Sequence, residues 1–373
     1  MRKILAILCF VLLGKSAHAQ EWSGWRANIE PGATWVFGSG DYIGDVWRFS
    51  ESFSTTTGVY NYGTNYKPLY TRNAAGLSWR FEVLRRGERS NRTLGLRISF
   101  LRSSGNVYGE ASTPARSTYI ESCRIFGQTL LPLINDDEPG GVSRVLCGGE
   151  TRVNTLDLGV FAENAIFENQ SKGLYLNLGL NFRNITHRRH DWSRQIAVLR
   201  GYFGNGQDFV NFVSLDAWSR SRSWSLGPTF GIRGSYTNAS RRLSFETRIE
   251  QYVGIGKLGI ESPIWVDDDD IHMRTTQGLG QTVLYLNGEF PMNSISTWSA
   301  IFGTTLELRT MYQLNKDFSV GATASCRSLG SIFKPARWNV PADWSILQGT
   351  GWVAGDRQSL NACGLSSRIT LTL

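Results

Sequence analysis

The sequence predicts an all-β fold: a transmembrane antiparallel up-and-down β-barrel of about 12 strands, within 10 to 14, with long extracellular loops and short periplasmic turns. Three observations carry this reading. Strand-length segments alternate apolar and polar residues; short polar turns alternate with long polar stretches; and an export signal is followed by no apolar run of the roughly 18 to 20 residues that a spanning helix needs.

The export signal comes first in the chain. Met1, Arg2 and Lys3 give a charged start, Ile4 to Leu13 an apolar run, and Ala17-His18-Ala19 a small-x-small cleavage pattern. Residues 1–19 are therefore expected to be removed, leaving residues 20–373 as a single barrel domain with no lipid anchor. Hydrocarbon accepts only structures whose backbone polar groups are all paired, so an exported chain without a spanning helix is either soluble or a closed barrel. A barrel exposes an apolar residue only at every second position, and the negative mean hydropathy is compatible with it.

The strands follow in order. In the first, Trp25, Ala27, Ile29, Pro31, Ala33, Trp35 and Phe37 are apolar, Arg26, Asn28, Glu30, Gly32 and Thr34 lie between them, and Val36 alone is out of phase. A period of two means one apolar and one polar face, and about 9 to 11 residues suffice to cross a membrane. The pattern recurs in hairpins. Leu77 to Val83 turns through Gly87 to Arg92 into Leu94 to Phe100, and Leu156 to Ala162 turns through Asn169 to Gly173 into Leu174 to Phe182. Trp224 to Tyr236 turns through Thr237 to Ser240 into Leu243 to Ile249. Trp298 to Tyr312 turns at Asn315-Lys316-Asp317 into Phe318 to Ala324, and Leu365 to Leu373 ends the chain.

Long polar stretches, 38–76, 103–153, 254–296 and 328–360, separate these hairpins. Both termini on the periplasmic side require an even count. The segments above give ten strands. A further hairpin, about 195–203 and 208–218 around Gly204-Asn205-Gly206, gives the central expectation of twelve, and Gln281 to Glu289 with a partner in 254–266 would give fourteen.

The expected inward series is charged: Arg26, Glu30, Arg80, Glu82, Arg97, Arg183, Arg233, Glu246, Arg248, Glu250, Glu307, Arg309 and Arg368. As pore-lining residues these arginines would favour anions through a wet lumen. Alternatively, arginine and glutamate pair across the lumen and brace it, because a buried charge without a partner is expensive. The interleaving of glutamates favours bracing. Net charge falls from +8 to +5 once Arg2, Lys3 and Lys15 are removed, too little to imply a nucleic-acid partner.

Four cysteines remain beyond the signal, and an even number in an exported chain reads as disulfides, with Cys123 to Cys147 and Cys326 to Cys363 the favoured pairing. Asp267, Asp268, Asp269 and Asp270 form a weak candidate cation site in an outer loop. They lack the alternate spacing and glycine of a calcium loop. His187 and His190 flank two arginines, which repel a metal ion. Gly254-Ile255-Gly256-Lys257 lacks the hydroxyl residue of a phosphate loop. Neither a G-x-S-x-G elbow nor an H-E-x-x-H motif occurs, so no enzymatic role, cofactor or firm metal site is expected.

The hairpins as a set resemble porin-type outer-membrane proteins. Trp224-Ser225-Leu226-Gly227-Pro228-Thr229-Phe230-Gly231-Ile232-Arg233 resembles one strand of the Legionella-type pore-forming major outer-membrane proteins. Such barrels usually end in an aromatic residue, whereas this chain ends in Leu373. The resemblance implies a pore in the bacterial outer membrane, with membrane lipids and small solutes as partners. The expected function is therefore a porin-like channel for passive passage of small solutes, anion-preferring if the arginines face water. Two alternatives stand beside it: a non-conducting barrel whose disulfide-braced loops bind a ligand or surface, and a secreted soluble β-sandwich. The solute, the oligomeric state and whether a loop plugs the lumen are left open.

Overall fold

Asparagine side chains set three of the tight turns. Asn169 Oδ1 accepts from the backbone N–H groups of Ser171 and Lys172 at 3.0 and 2.7 Å. Asn238 Oδ1 accepts from Leu243 N at 3.1 Å, and Asn315 Oδ1 from Asp317 N at 2.9 Å. A side-chain amide that mimics a backbone carbonyl stabilises a reversal at low cost, and each reversal pairs the two flanking segments as antiparallel neighbours.

The structure is a computed structural model that describes residues 24–39, 42–54, 59–70, 73–87, 91–112, 119–125, 128–129, 142–169, 171–199, 209–240, 242–261, 264–270, 288–290, 295–333 and 357–373. The expected signal peptide lies outside them. In chain order the strands are β1 (Gly24–Phe37), β2 (Tyr42–Ser54), β3 (Val59–Tyr70), β4 (Ala74–Arg86), β5 (Arg92–Ser112), β6 (Tyr119–Ile125), β7 (Gln128–Thr129) and β8 (Val142–Glu168). They continue with β9 (Lys172–Leu199), β10 (Phe209–Thr237), β11 (Leu243–Glu261), β12 (Ile264–Asp270), β13 (Gly288–Phe290), β14 (Ile295–Gln313), β15 (Phe318–Phe333) and β16 (Arg357–Thr372).

Ten of these close on themselves, each antiparallel to the next, in the order β1-β4-β5-β8-β9-β10-β11-β14-β15-β16 and back to β1. Where the termini meet, Trp25 N donates to Leu373 O at 3.1 Å and Leu373 N to Trp25 O at 2.8 Å. Both ends of the described chain thus lie on the short-turn side, as parity requires.

The expected hairpin at 195–218 is not an extra pair of wall strands. Its described residues are the far ends of β9 and β10, which run unbroken for 28 and 29 residues with a continuous register from Tyr236↔Lys172 to Phe209↔Leu199. The count is therefore ten rather than the central twelve. Alternation survives beyond the membrane because the two strands stay paired there, so it cannot mark where the membrane ends. The outer stretches are also more β-structured than expected: β2, β3, β6 and β7 form a separate four-stranded sheet, and β12 pairs with β13 and with the outer part of β10. Of the segment 281–289, only Gly288 and Glu289 are described, in β13, which pairs with β12 and adds no wall strand.

The wall is inside-out relative to a soluble protein. Trp25, Trp35, Phe37, Leu77, Trp79, Leu178, Phe230 and Leu308 are among the large apolar residues left exposed on the outer face, while Glu30, Glu82, Arg248 and Glu307 are buried inside. Aromatic residues cluster at two levels, Trp25, Tyr236 and Tyr312 near the short turns, and Trp35, Phe37, Trp224 and Trp298 at the other end. Trp224 and Trp298 meet edge to face at 5.2 Å. Ten residues separate Trp25 from Trp35; at about 3.3 Å each and a tilt of about 40° they rise roughly 25 Å, the height of an apolar barrel belt. The phase break at Val36 also has a cause, since Val36 is the inward residue of β1 just past this belt and belongs to an apolar layer inside the lumen.

Candidate functional site

The candidate site is the lumen, and its first determinant is register. Glu30 lies opposite Arg80 on β1 and β4, Glu82 opposite Arg97 on β4 and β5, Glu246 opposite Arg309 and Arg248 opposite Glu307 on β11 and β14, and Asp157 opposite Arg183 on β8 and β9. Inward positions fall at every second residue, so charges that alternate with leucine in the sequence stack as rungs inside the wall.

Of the thirteen charged residues named from the sequence, none is exposed. Ion pairs join eleven of them, all but Arg26 and Arg183, into one lattice. Glu30 meets Arg368 at 2.7 Å, Arg80 at 3.3 Å and Arg309 at 3.8 Å. Glu82 meets Arg97 at 3.2 Å, Arg248 at 3.4 Å and Arg368 at 3.5 Å. Glu250 holds Arg248 at 2.5 Å and Arg97 at 2.9 Å, and Glu307 holds Arg309 at 2.7 Å and also pairs with Arg80. Towards the short turns, Arg233 grips Glu163 through two nitrogens at 2.5 and 2.9 Å, reaches Glu246 at 3.2 Å and lies 3.8 Å from the centre of the Tyr175 ring. Several of these bonds cross the lumen: β4 and β11, which carry Glu82 and Arg248, lie on opposite sides of the ring.

Neutral groups complete the lattice. Asn28 donates to Glu82 at 3.0 Å and Asn177 to Glu250 at 2.7 Å, and Thr370 donates to Asn28 at 2.8 Å. Phe161 fills the space between arginines, with Arg97 and Arg248 at 4.9 and 5.1 Å from its ring. The ring lies over Gly95, its register partner, where a Cβ would come within 2.2 Å of Phe161 Cζ. Only a residue without a side chain leaves room for it.

A second cluster sits further from the short turns. Arg183 Nε donates to Asp157 Oδ1 at 2.8 Å, and Arg327 Nη1 to Asp157 Oδ2 at 2.6 Å. Arg183 Nη1 also donates to the carbonyls of Ser328 and Leu329 at 2.9 and 3.0 Å. Those carbonyls belong to a bulge in β15, where the register slips between Ser328 and Gly330 and Gly330 adopts φ +114°. The bulge turns Leu329 inward, and Phe333 N reaches Ser221 Oγ on β10 at 3.2 Å.

Above this cluster the lumen holds apolar layers beside buried polar residues such as Thr151, His187 and Arg189. Val36, Ala74, Leu101, Val153, Ile185, Leu329, Ile332, Leu360 and Ala362 form a buried layer across seven strands, and Tyr252, Leu258, Ile260, Ile301 and Phe333 form another beside it. Alongside, His187 Nε2 lies 2.6 Å from Thr151 Oγ1, which donates to Ser39 O at 3.2 Å. These bonds hold the end of β1 to the wall and give His187 a structural partner.

The disulfide expected between Cys326 and Cys363 is present, joining directly opposed residues of β15 and β16. Both side chains of the expected Cys123 to Cys147 pair lie outside the described residues, as do those of Asp267, Asp268, Asp269 and Asp270; the four aspartates lie on β12 rather than in a loop. Among the described residues no group of three or more His, Cys, Asp or Glu is placed to hold a metal ion.

Asp157, Glu163 and Arg327 take part in the ion pairs but were not among the expected lumen residues. The first two alternate in phase with Leu156, Leu158 and Ala162, so the period already marked them. Arg327 lies beyond Ala324, where the expected strand ends, and only the structure extends β15 far enough to bring it inside.

An apolar outer belt around a lumen filled with charge is the polarity of a protein solvated by hydrocarbon. The chain is a transmembrane β-barrel. No family model matches the barrel chain, and no curated protein matches it, so the resemblance to the Legionella-type proteins gains no support. Among solved structures it is similar to the outer membrane protease OmpT from Escherichia coli, with 9% identity, a TM-score of 0.42, and coverage of 94% of this chain and 97% of that one. The toluene transporter TodX from P. putida matches at 7% identity and TM-score 0.25, covering 94% and 90%. An anion-selective porin from Comamonas acidovorans matches at 10% identity and TM-score 0.16, covering 91% and 99%.

Proposed function

We propose that this protein is a bacterial outer-membrane barrel with a closed lumen, whose role is to hold a β-rich extracellular layer that binds a ligand or surface. The observation that carries this reading is the filling of the lumen by two different materials in series. The ion-pair lattice occupies the membrane level, and the apolar layer around Ile185, Leu329 and Leu360 lies above it. Ten strands enclose an interior that side chains can fill, whereas water-filled pores belong to barrels of about 16 to 18 strands.

Membrane lipids are then the partners of the wall, and the ligand belongs to the outer strands. The role is one of binding rather than catalysis. Purified, folded protein in planar bilayers is expected to give no steady conductance in potassium chloride. A stable open level in the unmodified protein would overturn the closed-barrel reading.

A second reading, the porin-like channel, is favoured by one observation. A cavity of about 40 Å³ lies within the lumen and is lined by Arg80, Arg97, Arg183 and Arg327 among others. Passage through it would require the apolar layer to move aside, so this reading expects brief, anion-selective openings rather than a steady level.

A further inference from the structure

The charges of the lumen are not evenly matched from place to place. In the lattice, the ion pairs join six arginines (Arg80, Arg97, Arg233, Arg248, Arg309 and Arg368) to six glutamates (Glu30, Glu82, Glu163, Glu246, Glu250 and Glu307), and Arg26 lies beside Glu246 as a seventh arginine. The cluster above it is different: two arginines, Arg183 and Arg327, share the single carboxylate of Asp157.

Donors remain to spare at the same place. A guanidinium carries five N–H donors. Among the described residues Arg327 uses one, to Asp157, and Arg183 Nη2 makes no hydrogen bond. Both side chains are enclosed, with exposures of 11% and 5%. The cavity of about 40 Å³ opens at this point, lined on its charged side by Arg80, Arg97, Arg183, Arg327, Asp157 and Glu250. An enclosed positive charge facing such a cavity is costly without a counter-charge, and about 40 Å³ has room for a small ion together with a water or two.

We propose that this cavity binds a small monovalent anion, of the size of chloride, between Arg183 and Arg327. The anion balances the second arginine of the Asp157 cluster, takes up the free N–H donors, and so helps to hold the β15 bulge through Arg183. The site rests on the lumen being closed, and is independent of what the extracellular layer binds.

The test uses the full folded barrel in detergent. Its heat-denaturation midpoint is followed in sodium chloride against sodium gluconate at equal ionic strength, gluconate being too large for the cavity. The midpoint is expected to rise with chloride and to stay flat with gluconate, because a ligand of the folded state alone stabilises it in proportion to occupancy. Arg327→Met leaves one arginine on one carboxylate, so this variant is expected to fold and to lose the chloride dependence. Crystals grown in bromide should show an anomalous peak at the cavity. Equal midpoints in the two salts together with no bromide peak would mean a cavity holding water only and would overturn the proposal. Undiminished chloride dependence in folded Arg327→Met would also overturn it. Bilayer conductance tests the closed lumen separately, so failure of one can be told from failure of the other.

Discussion

Arg327 and Asp157 stand on opposite sides of the barrel, on strands five places apart in a ring of ten, and the 2.6 Å bond between them spans the lumen. Because Asp157 also holds Arg183 on the neighbouring strand, one carboxylate ties three points of the wall together. Asp157→Asn removes the only carboxylate of this cluster and leaves two enclosed arginines facing each other. Losing one partner of a buried ion pair costs about 3 to 5 kcal/mol. The temperature at which the compact band disappears on an SDS gel of briefly heated samples should fall clearly, and an unchanged temperature would show that the cross-lumen bond carries no stability.

The outer face makes a depth-dependent prediction. Leu178 lies opposite Phe230, midway between Trp224 and Tyr236, and is half exposed on the outer wall, whereas Ile166 sits close to the turn at Asn169. Leu178→Arg should destabilise the protein by about 2 to 4 kcal/mol, and Ile166→Arg by about 0 to 1 kcal/mol. Urea titrations of both variants refolded into lipid vesicles measure the difference. Equal costs at the two positions would mean that the belt does not face hydrocarbon.

The disulfide is expected to matter little to folding. Cys326 and Cys363 enclose a long loop, with a sequence separation of 37, for which chain entropy sets an upper limit of about 4 kcal/mol. They already face each other in a ladder that runs from Phe318↔Leu371 to Phe333↔Arg357. The double variant Cys326→Ser, Cys363→Ser should keep the folded gel mobility of the parent, and alkylation of the parent at these cysteines should require prior reduction. Loss of the folded band in the double variant would make the bond a requirement of assembly.

On the proposed closed-lumen reading, the apolar layer and the ion-pair lattice each seal the lumen. Leu329→Ala removes a fully buried side chain and should cost about 2 to 5 kcal/mol. The lattice beneath it remains, so the variant should still show no steady conductance in bilayers. A steady open level in Leu329→Ala would place the whole seal in the apolar layer.

The wall was legible in the sequence because lipid on one side and packing on the other impose a strict period of two. That period located ten strands. The same period misled at β9 and β10, whose outer halves remain paired and alternate as the inner halves do. It also could not reveal which charges meet. Glu82 finds Arg97 by neighbouring register, which a hairpin suggests, but it finds Arg248 across the lumen, which depends on closure and strand stagger. The inward turn of Leu329 depends on the bulge at Gly330, and a glycine in a stretch already polar carries no local mark of it.

β8, β9 and β10 are single strands of 27, 28 and 29 residues, and about ten residues would cross the membrane. On these strands the outer part and the membrane part belong to one continuous ladder. A pull applied to the far end of the β9–β10 ladder is carried along the strand axes, where a long row of hydrogen bonds bears it together. On the proposed binding role, a ligand held by the outer strands would be coupled mechanically to the membrane-spanning wall.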